Sequence, residues 1–237
     1  MSLGRRAVCE AIGTAILFVA IVGSGIMADH LAGGNTAIAL LANSLATGGA
    51  LFAMIATFGP YSGAHFNPVV TISDAWKGNM PWNAVPIYLV AQLVGALAGT
   101  AMANVMFGDA MFFVSHHVRA GAPLLLAEGV ATFGLLTTIW GCSRRAPQLV
   151  AYAVSAYIVG AYWFTSSTSF ANPAVTIARS LSDSFAGIRP SDAPWFIAAQ
   201  LIGAAAATLA FHWIDPVGKT NIDLVVVPHP GASVSTG

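Results

Sequence analysis

Six long apolar runs organise the chain, at about residues 7–28, 36–58, 84–106, 123–141, 148–166 and 194–214. Each is near the roughly 20 residues that a helix needs to cross a hydrocarbon core of about 30 Å. Two shorter stretches break the pattern: Asn67-Pro68-Val69-Val70-Thr71-Ile72 between the second and third runs, and Asn172-Pro173-Ala174-Val175-Thr176-Ile177 between the fifth and sixth. Asn is a strong N-cap and Pro is favoured at the first helical position, so both read as helix starts. The first can run to about Trp76 before Gly78 and Pro81 stop it, a length of about 15 Å or half a bilayer core. Two such half-helices, entering from opposite faces and meeting at their Asn-Pro ends, would make one span broken at the midplane. Broken backbone at that depth is tolerated only where it lines a cavity.

The two stretches belong to an internal repeat. Cys9-Glu10-Ala11-Ile12-Gly13-Thr14 in the first run matches Ala127-Glu128-Gly129-Val130-Ala131-Thr132 in the fourth. Ala91-Gln92-Leu93-Val94-Gly95-Ala96 in the third matches Ala199-Gln200-Leu201-Ile202-Gly203-Ala204 in the sixth. Three spans is an odd number, so the second half is inverted relative to the first. The expected fold is an all-α membrane protein of six transmembrane helices plus two re-entrant half-helices in an inverted three-plus-three repeat. It forms a single domain over 1–215, with repeat 1 at about 7–106, repeat 2 at about 123–215, and a cytoplasmic polar tail, partly disordered, at 216–237.

Composition agrees: 57% of the 237 residues are hydrophobic and 8% are charged, against about 25% charged in a soluble domain. Nine basic and nine acidic residues cancel, which suggests no nucleic-acid partner. Cys9 and Cys142 have no metal or redox spacing and read as buried small apolar residues. The N-terminal run continues past Met27 and carries Glu10 without a cleavage box, so it reads as a first span and not a signal peptide. With the N-terminus inside, Arg5, Arg6, Lys77, Arg144, Arg145 and Lys219 fall inside and Arg119, Arg179 and Arg189 outside. That imbalance predicts cytoplasmic termini. Small residues crowd the spans at 46–50, 95–99 and 203–208, permitting close helix packing.

The paired Asn-Pro motifs in an inverted repeat, with Ser62-Gly63-Ala64-His65-Phe66-Asn67-Pro68 in the first, closely resemble the aquaporin and aquaglyceroporin family over about residues 7–215. Two departures stand out. Val69 follows the first Asn-Pro where Ala is usual, and Val175 follows Asn172-Pro173-Ala174 where most members carry the arginine of the narrowest point. Carried over by spacing, the constriction falls at Thr47, Gly160, Ser169 and Val175. That set matches neither the water-selective nor the glycerol-conducting pattern, and it predicts a wide, weakly polar, uncharged ring. Bacterial members associated with arsenic resistance are similar in carrying Asn-Pro-Ala-Val. The resemblance therefore implies a passive channel for arsenous acid or methylated arsenicals, glycerol-like polyols and water. It also implies a homotetramer in a bacterial inner membrane, with no cofactor, no metal and no enzymatic activity.

Several side chains carry further expectations. If Asn67 and Asn172 cap their half-helices through oxygen, their amides face the lumen as donors. The two helix N-termini disfavour cations there. Glu10 and Glu128, the acidic residues inside spans, are either supports for the irregular loop backbone or the proton site of a coupled carrier, and the former is preferred. His65 either lines the inner side of the pore or bonds the loop. Arg179, one turn beyond Val175, either lends positive potential to the outer vestibule or snorkels to headgroups. His116 and His117 read as solvated, the Tyr162-Trp163 pair as an interfacial belt, and loop 107–122 as either a vestibule cap or a subunit contact. The rival readings are a water-selective channel whose filter is rebuilt by His65, Phe66 or Phe170, a proton-coupled carrier, and a closed scaffold.

Overall fold

The structure, a computed structural model, describes residues 1–215; the tail expected at 216–237 lies outside them. Eight α-helices follow one another: α1 (Leu3–Leu31), α2 (Thr36–Ser62), α3 (Pro68–Trp76), α4 (Val85–Met106), α5 (Ala122–Arg145), α6 (Val150–Phe164), α7 (Pro173–Arg179) and α8 (Ala193–Ile214). Among the described residues there is no strand. α1, α2, α4, α5 and α8 are each long and apolar enough to cross a bilayer. α6 has 15 residues and completes its crossing with the 3₁₀ turn Pro147–Leu149 in front of it. Large apolar side chains such as Val90, Leu126, Ile202 and Trp213 face outward, as lipid-facing positions do.

α3 and α7 are the two half-helices, of 9 and 7 residues. In each, the motif asparagine is the N-cap and proline occupies the first turn. Asn67 Oδ1 accepts from Val69 N at 3.1 Å. Asn172 Oδ1 accepts from Ala174 N at 2.9 Å and Val175 N at 3.4 Å.

The repeats also pack alike. α1 lies against α4, and α5 against α8. At the crossings, glycine lets backbones touch: a Cβ on Gly95 would stand 2.3 Å from Ala11 O, one on Gly99 2.2 Å from Ala15 O, and one on Gly203 2.3 Å from Gly129 O. Gly95 and Gly203 are repeat counterparts, as are Ala11 and Gly129, so one device sets both interfaces. Cys9 and Cys142 are half-buried and unpaired, more exposed than expected.

Loop 107–121 lies over the segment that follows α7. Phe113 N donates to Leu181 O at 3.2 Å, Ser115 N to Ser180 O at 2.9 Å, and Arg189 N to His117 O at 2.7 Å. His116 and His117 sit within this backbone pairing, the first donating its N–H to Asp183 Oδ1. The loop therefore lies along residues 180–189.

The close crossings predict that Gly99→Val forces α1 and α4 apart and costs about 1–3 kcal/mol. It should be read as a lowered thermal midpoint in detergent, whereas Gly49→Ala, whose Cβ meets no atom within 4 Å, should leave the midpoint unchanged or raise it.

Candidate functional site: a cavity at the meeting point of the half-helices

The two Asn-Pro loops enter the membrane through strained backbone. Ala64 and Phe66 have φ of 50° and 49°, and their counterparts Ser169 and Ala171 have 52° and 48°. Left-handed conformations cost non-glycine residues roughly 1–2 kcal/mol each, and they leave amides with no helix to join. Two buried carboxylates take those amides. Glu10 Oε1 accepts from His65 N at 3.0 Å and from Ser62 Oγ at 2.7 Å, and its Oε2 from Phe66 N at 2.8 Å and Gln92 Nε2 at 2.9 Å. Glu128 Oε1 accepts from Phe170 N at 2.9 Å, and its Oε2 from Ala171 N at 2.9 Å and Gln200 Nε2 at 2.6 Å. Each glutamine then reaches the threonine of its own half-helix, Thr71 or Thr176, at 2.9 Å. Both glutamates are wholly buried with their oxygens engaged, which is the loop-supporting arrangement.

The loops are tied to one another by the asparagines. Asn67 Nδ2 donates to Ala171 O and Asn172 Nδ2 donates to Phe66 O, both at 2.8 Å. The expectation of free lumenal amides therefore needs adjusting. An amide carries two hydrogens; one on each asparagine fixes the opposite loop, and the other is left for the lumen. Both asparagines line the cavity described next.

That cavity runs along the meeting point of the half-helices. It offers about 60 Å³ to water-sized occupants, enough to hold water against the polar groups of its wall. Its wall is repeat-symmetric: Leu17 and Leu135, Ile21 and Ile139, and Val70 and Val175 are paired counterparts. α2 adds Thr47, Leu51 and Ile55, and α6 adds Val154, Ile158 and Tyr162, each a stripe at intervals of four on one helix face. The apolar members were not foreseen, although counting seven and eleven residues on from Glu10 and Glu128 would have found Leu17, Ile21, Leu135 and Ile139.

The constriction positions divide. Thr47, Ser169 and Val175 line the cavity and Gly160 does not. At about 100° per residue, Gly160 is turned to the far side of the Val154–Ile158–Tyr162 stripe, and a Cβ there would meet the Phe164 ring at 3.7 Å. Tyr162 fills the wall instead, 3% exposed, with its hydroxyl 3.3 Å from Thr47 Oγ1. Tyr162 is thus not a belt residue; Trp163 is the exposed member of the pair, and its indole donates to Ser44 Oγ at 3.2 Å.

Arg179 does not snorkel to headgroups; it is 2% exposed and lines the cavity. Its Nε donates to Ala186 O, and its guanidinium carbon lies 3.6 Å from the centroid of the Phe170 ring. Among the described residues Nη1 has no hydrogen-bond partner, nor has Ser169 Oγ. Arg119, from loop 107–121, approaches the same ring at 5.1 Å and donates to Gly187 O at 2.7 Å and Ser167 O at 3.2 Å. Thr47, Ser169 and Val175 are thus uncharged members of the wall, and a guanidinium stands one turn beyond Val175. His65, on the N-terminal side of the motif, lines the cavity, and its ring Nδ1 lies 2.9 Å from Thr71 Oγ1, a side chain of α3 and not the loop backbone. Among the described residues, no cluster of three or more ligating side chains could hold a metal.

Comparison with known proteins fits this geometry. The family model for the major intrinsic protein matches residues 1–165. Aquaglyceroporin AqpS of Rhizobium meliloti (strain 1021) is 48% identical over 212 residues, covering 90% of this chain and 91% of that protein. The probable aquaporin AqpM of Archaeoglobus fulgidus is 31% identical over 242 residues, covering 90% and 98%. The X-ray structure of the aquaglyceroporin from Plasmodium falciparum superimposes with a TM-score of 0.69 at 20% identity, covering 91% of this chain and 98% of that one, a likeness of fold.

Because both oxygens of Glu128 accept loop N–H groups, Glu128→Gln turns a donor toward a donor. A buried unpaired group costs about 1–3 kcal/mol, so a lower thermal midpoint in detergent is expected. An unchanged midpoint would show that the carboxylate does not carry the loop.

Proposed function

The chain belongs to the major intrinsic protein family of membrane channels, and from that premise we propose that it conducts small uncharged solutes larger than water by passive diffusion. The solutes are glycerol-like polyols, arsenous acid and methylated arsenicals, with water accompanying them. The observation that carries this reading is Val175 in the cavity wall immediately after the second motif. An isopropyl side chain there removes a fixed donor and a bulky cation from the narrowest ring, so a solute of several hydroxyls has room to pass. As(OH)₃ and glycerol both present three hydroxyls around a compact neutral centre. The unpaired lumenal hydrogens of Asn67 and Asn172 can donate to their oxygens in turn.

Arg179 supports the neutral-solute preference. Held on Phe170 with Nη1 unpartnered, it puts a positive charge on the path of a cation and adds to the two half-helix N-termini. The coupled-carrier alternative is disfavoured because Glu10 and Glu128 spend their oxygens on loop amides. The water-selective alternative draws on the Tyr162 and Phe170 rings, which narrow the wall. In the same reading the protein is a homotetramer in a bacterial plasma membrane, with both termini cytoplasmic and a pore in each subunit.

In proteoliposomes, Val175→Arg should lower arsenous acid and glycerol uptake about tenfold, equivalent to about 1.4 kcal/mol of barrier, while water flux falls less. Equal uptake by native protein and variant would place the solute path elsewhere. Separately, Arg179→Ala should raise cation conductance across planar bilayers, and no rise would remove the electrostatic role of this side chain.

A further inference from the structure

Two buried donors in the cavity wall have nothing to donate to. Arg179 is 2% exposed and Ser169 3%, both line the cavity, and neither Arg179 Nη1 nor Ser169 Oγ has a hydrogen-bond partner among the described residues. Phe170 makes them neighbours: it follows Ser169 in the chain, and its ring centroid lies 3.6 Å from the guanidinium carbon of Arg179. The pair belongs to one repeat only. Ala64 and Asp74 stand at the matching places, three before and seven after Asn67, so the first motif has no hydroxyl and no cation there.

A buried hydroxyl without a partner costs little beside a buried guanidinium without a counter-charge. Arg179 gives its Nε–H to Ala186 O and one face to Phe170, contacts that hold the cation without neutralising it. Arg119 brings a second guanidinium to 5.1 Å from the same ring, but its nitrogens are spent on the carbonyls of Gly187, Ser167 and Phe185. The acids of this region are engaged elsewhere. Glu128 accepts from the amides of Phe170 and Ala171 and from Gln200, Asp192 pairs with Arg189 at 2.8 Å, and Asp183 accepts from Ser115 Oγ and His116 N. Among the described residues, neither Arg119 nor Arg179 forms an ion pair. Setting the one carboxylate of Glu128 against the two guanidiniums leaves one positive charge over, at the wall.

We propose that Arg179 and Ser169 form a binding site for a small monovalent anion, a halide or nitrate, which sits in the lumen one turn from Val175 and competes with neutral solutes for passage. Arg179 Nη1–H and the Ser169 hydroxyl are its donors, and the guanidinium is its counter-charge. The surplus is a single charge, so a dianion would carry excess negative charge into a wall that Leu17, Ile21, Leu135 and Ile139 make largely apolar. The same wall makes dehydration the main cost of entry, so weakly hydrated nitrate binds more tightly than chloride. Glycerol brings only neutral oxygens to these donors and loses to an anion at equal concentration. The binding site stands on Arg179 and Ser169 alone, whereas the competition rests on the channel reading above.

Two measurements test the two halves. Sodium gluconate is exchanged for sodium nitrate or chloride at a constant ionic strength of about 0.15 M, with native protein, Arg179→Met, Ser169→Ala and, as a charge control at the exposed end of α5, Arg145→Gln. In detergent the thermal midpoint of the native protein and of Arg145→Gln should rise by a few degrees in nitrate and less in chloride, because a ligand of the folded state stabilises it. Nitrate is not an excluded, structure-strengthening anion of the sulfate type, so a rise reports a site. In proteoliposomes, glycerol uptake by the same two proteins should fall severalfold in nitrate. Arg179→Met should lose both responses, and Ser169→Ala should need severalfold more nitrate for each. A native protein indifferent to the anion, a response that survives in Arg179→Met, or an unchanged nitrate requirement in Ser169→Ala overturns the site and leaves the channel reading standing. A midpoint rise with glycerol uptake unaltered overturns the competition. No glycerol or water flux above lipid in any medium overturns the channel reading, while the midpoint still decides the site.

Discussion

Two fully buried carboxylates hold the structure to its shape. Glu10 and Glu128 each receive two consecutive loop amides, and those amides belong to backbone forced into left-handed turns at Phe66 and Ala171. In hydrocarbon an unsatisfied amide costs several kcal/mol, so the loops can bend at this depth only because an acceptor waits on a neighbouring span. An ionised carboxylate buried alone would cost still more; its four or three hydrogen bonds are what make it tolerable. Carboxylate and loop therefore stabilise each other, and the reciprocal bonds of Asn67 and Asn172 extend the arrangement across the midplane into one rigid centre.

Function follows from how a near-symmetric frame is decorated unequally. The wall pairs Leu17 with Leu135, Ile21 with Ile139 and Val70 with Val175, an apolar lining interrupted by the asparagines and by Thr47, His65, Tyr162, Ser169 and Arg179. Seven residues beyond each asparagine the symmetry breaks, with an acid behind the wall on one side and a guanidinium at the wall on the other. In the proposed reading a neutral solute would meet few fixed donors at Val175, while a cation would meet the charge of Arg179 and the ends of two helices.

The sequence made the frame legible because its signals are repeated. Long apolar runs located the spans, and the doubled Glu, Gln and Asn-Pro signatures located the inverted halves and the loop supports. The filter was harder to read, since it depends on which way a helix face turns. Gly160 was placed by spacing from the motif, yet α6 presents Val154, Ile158 and Tyr162 instead, and two residues of displacement moves a side chain to the opposite face. The direction of Arg179 was not legible for a different reason: it is fixed by a stacking partner, Phe170, and by Ala186 O, contacts that helix periodicity does not encode. Asp74 carried no sequence signal of its own; the repeat numbering pairs it with Arg179, and only the fold brings it within 3.8 Å of His65.

Passive conduction of neutral solutes is the claim on which the functional account stands, and accumulation tests it most directly. Proteoliposomes would be loaded with native protein, given an external supply of glycerol or arsenous acid and an imposed proton gradient, and followed until internal solute stops changing. The account predicts filling much faster than in protein-free vesicles, ending at the external concentration whatever the gradient. Accumulation above that concentration, or exclusion of both solutes while water flux persists, would contradict it.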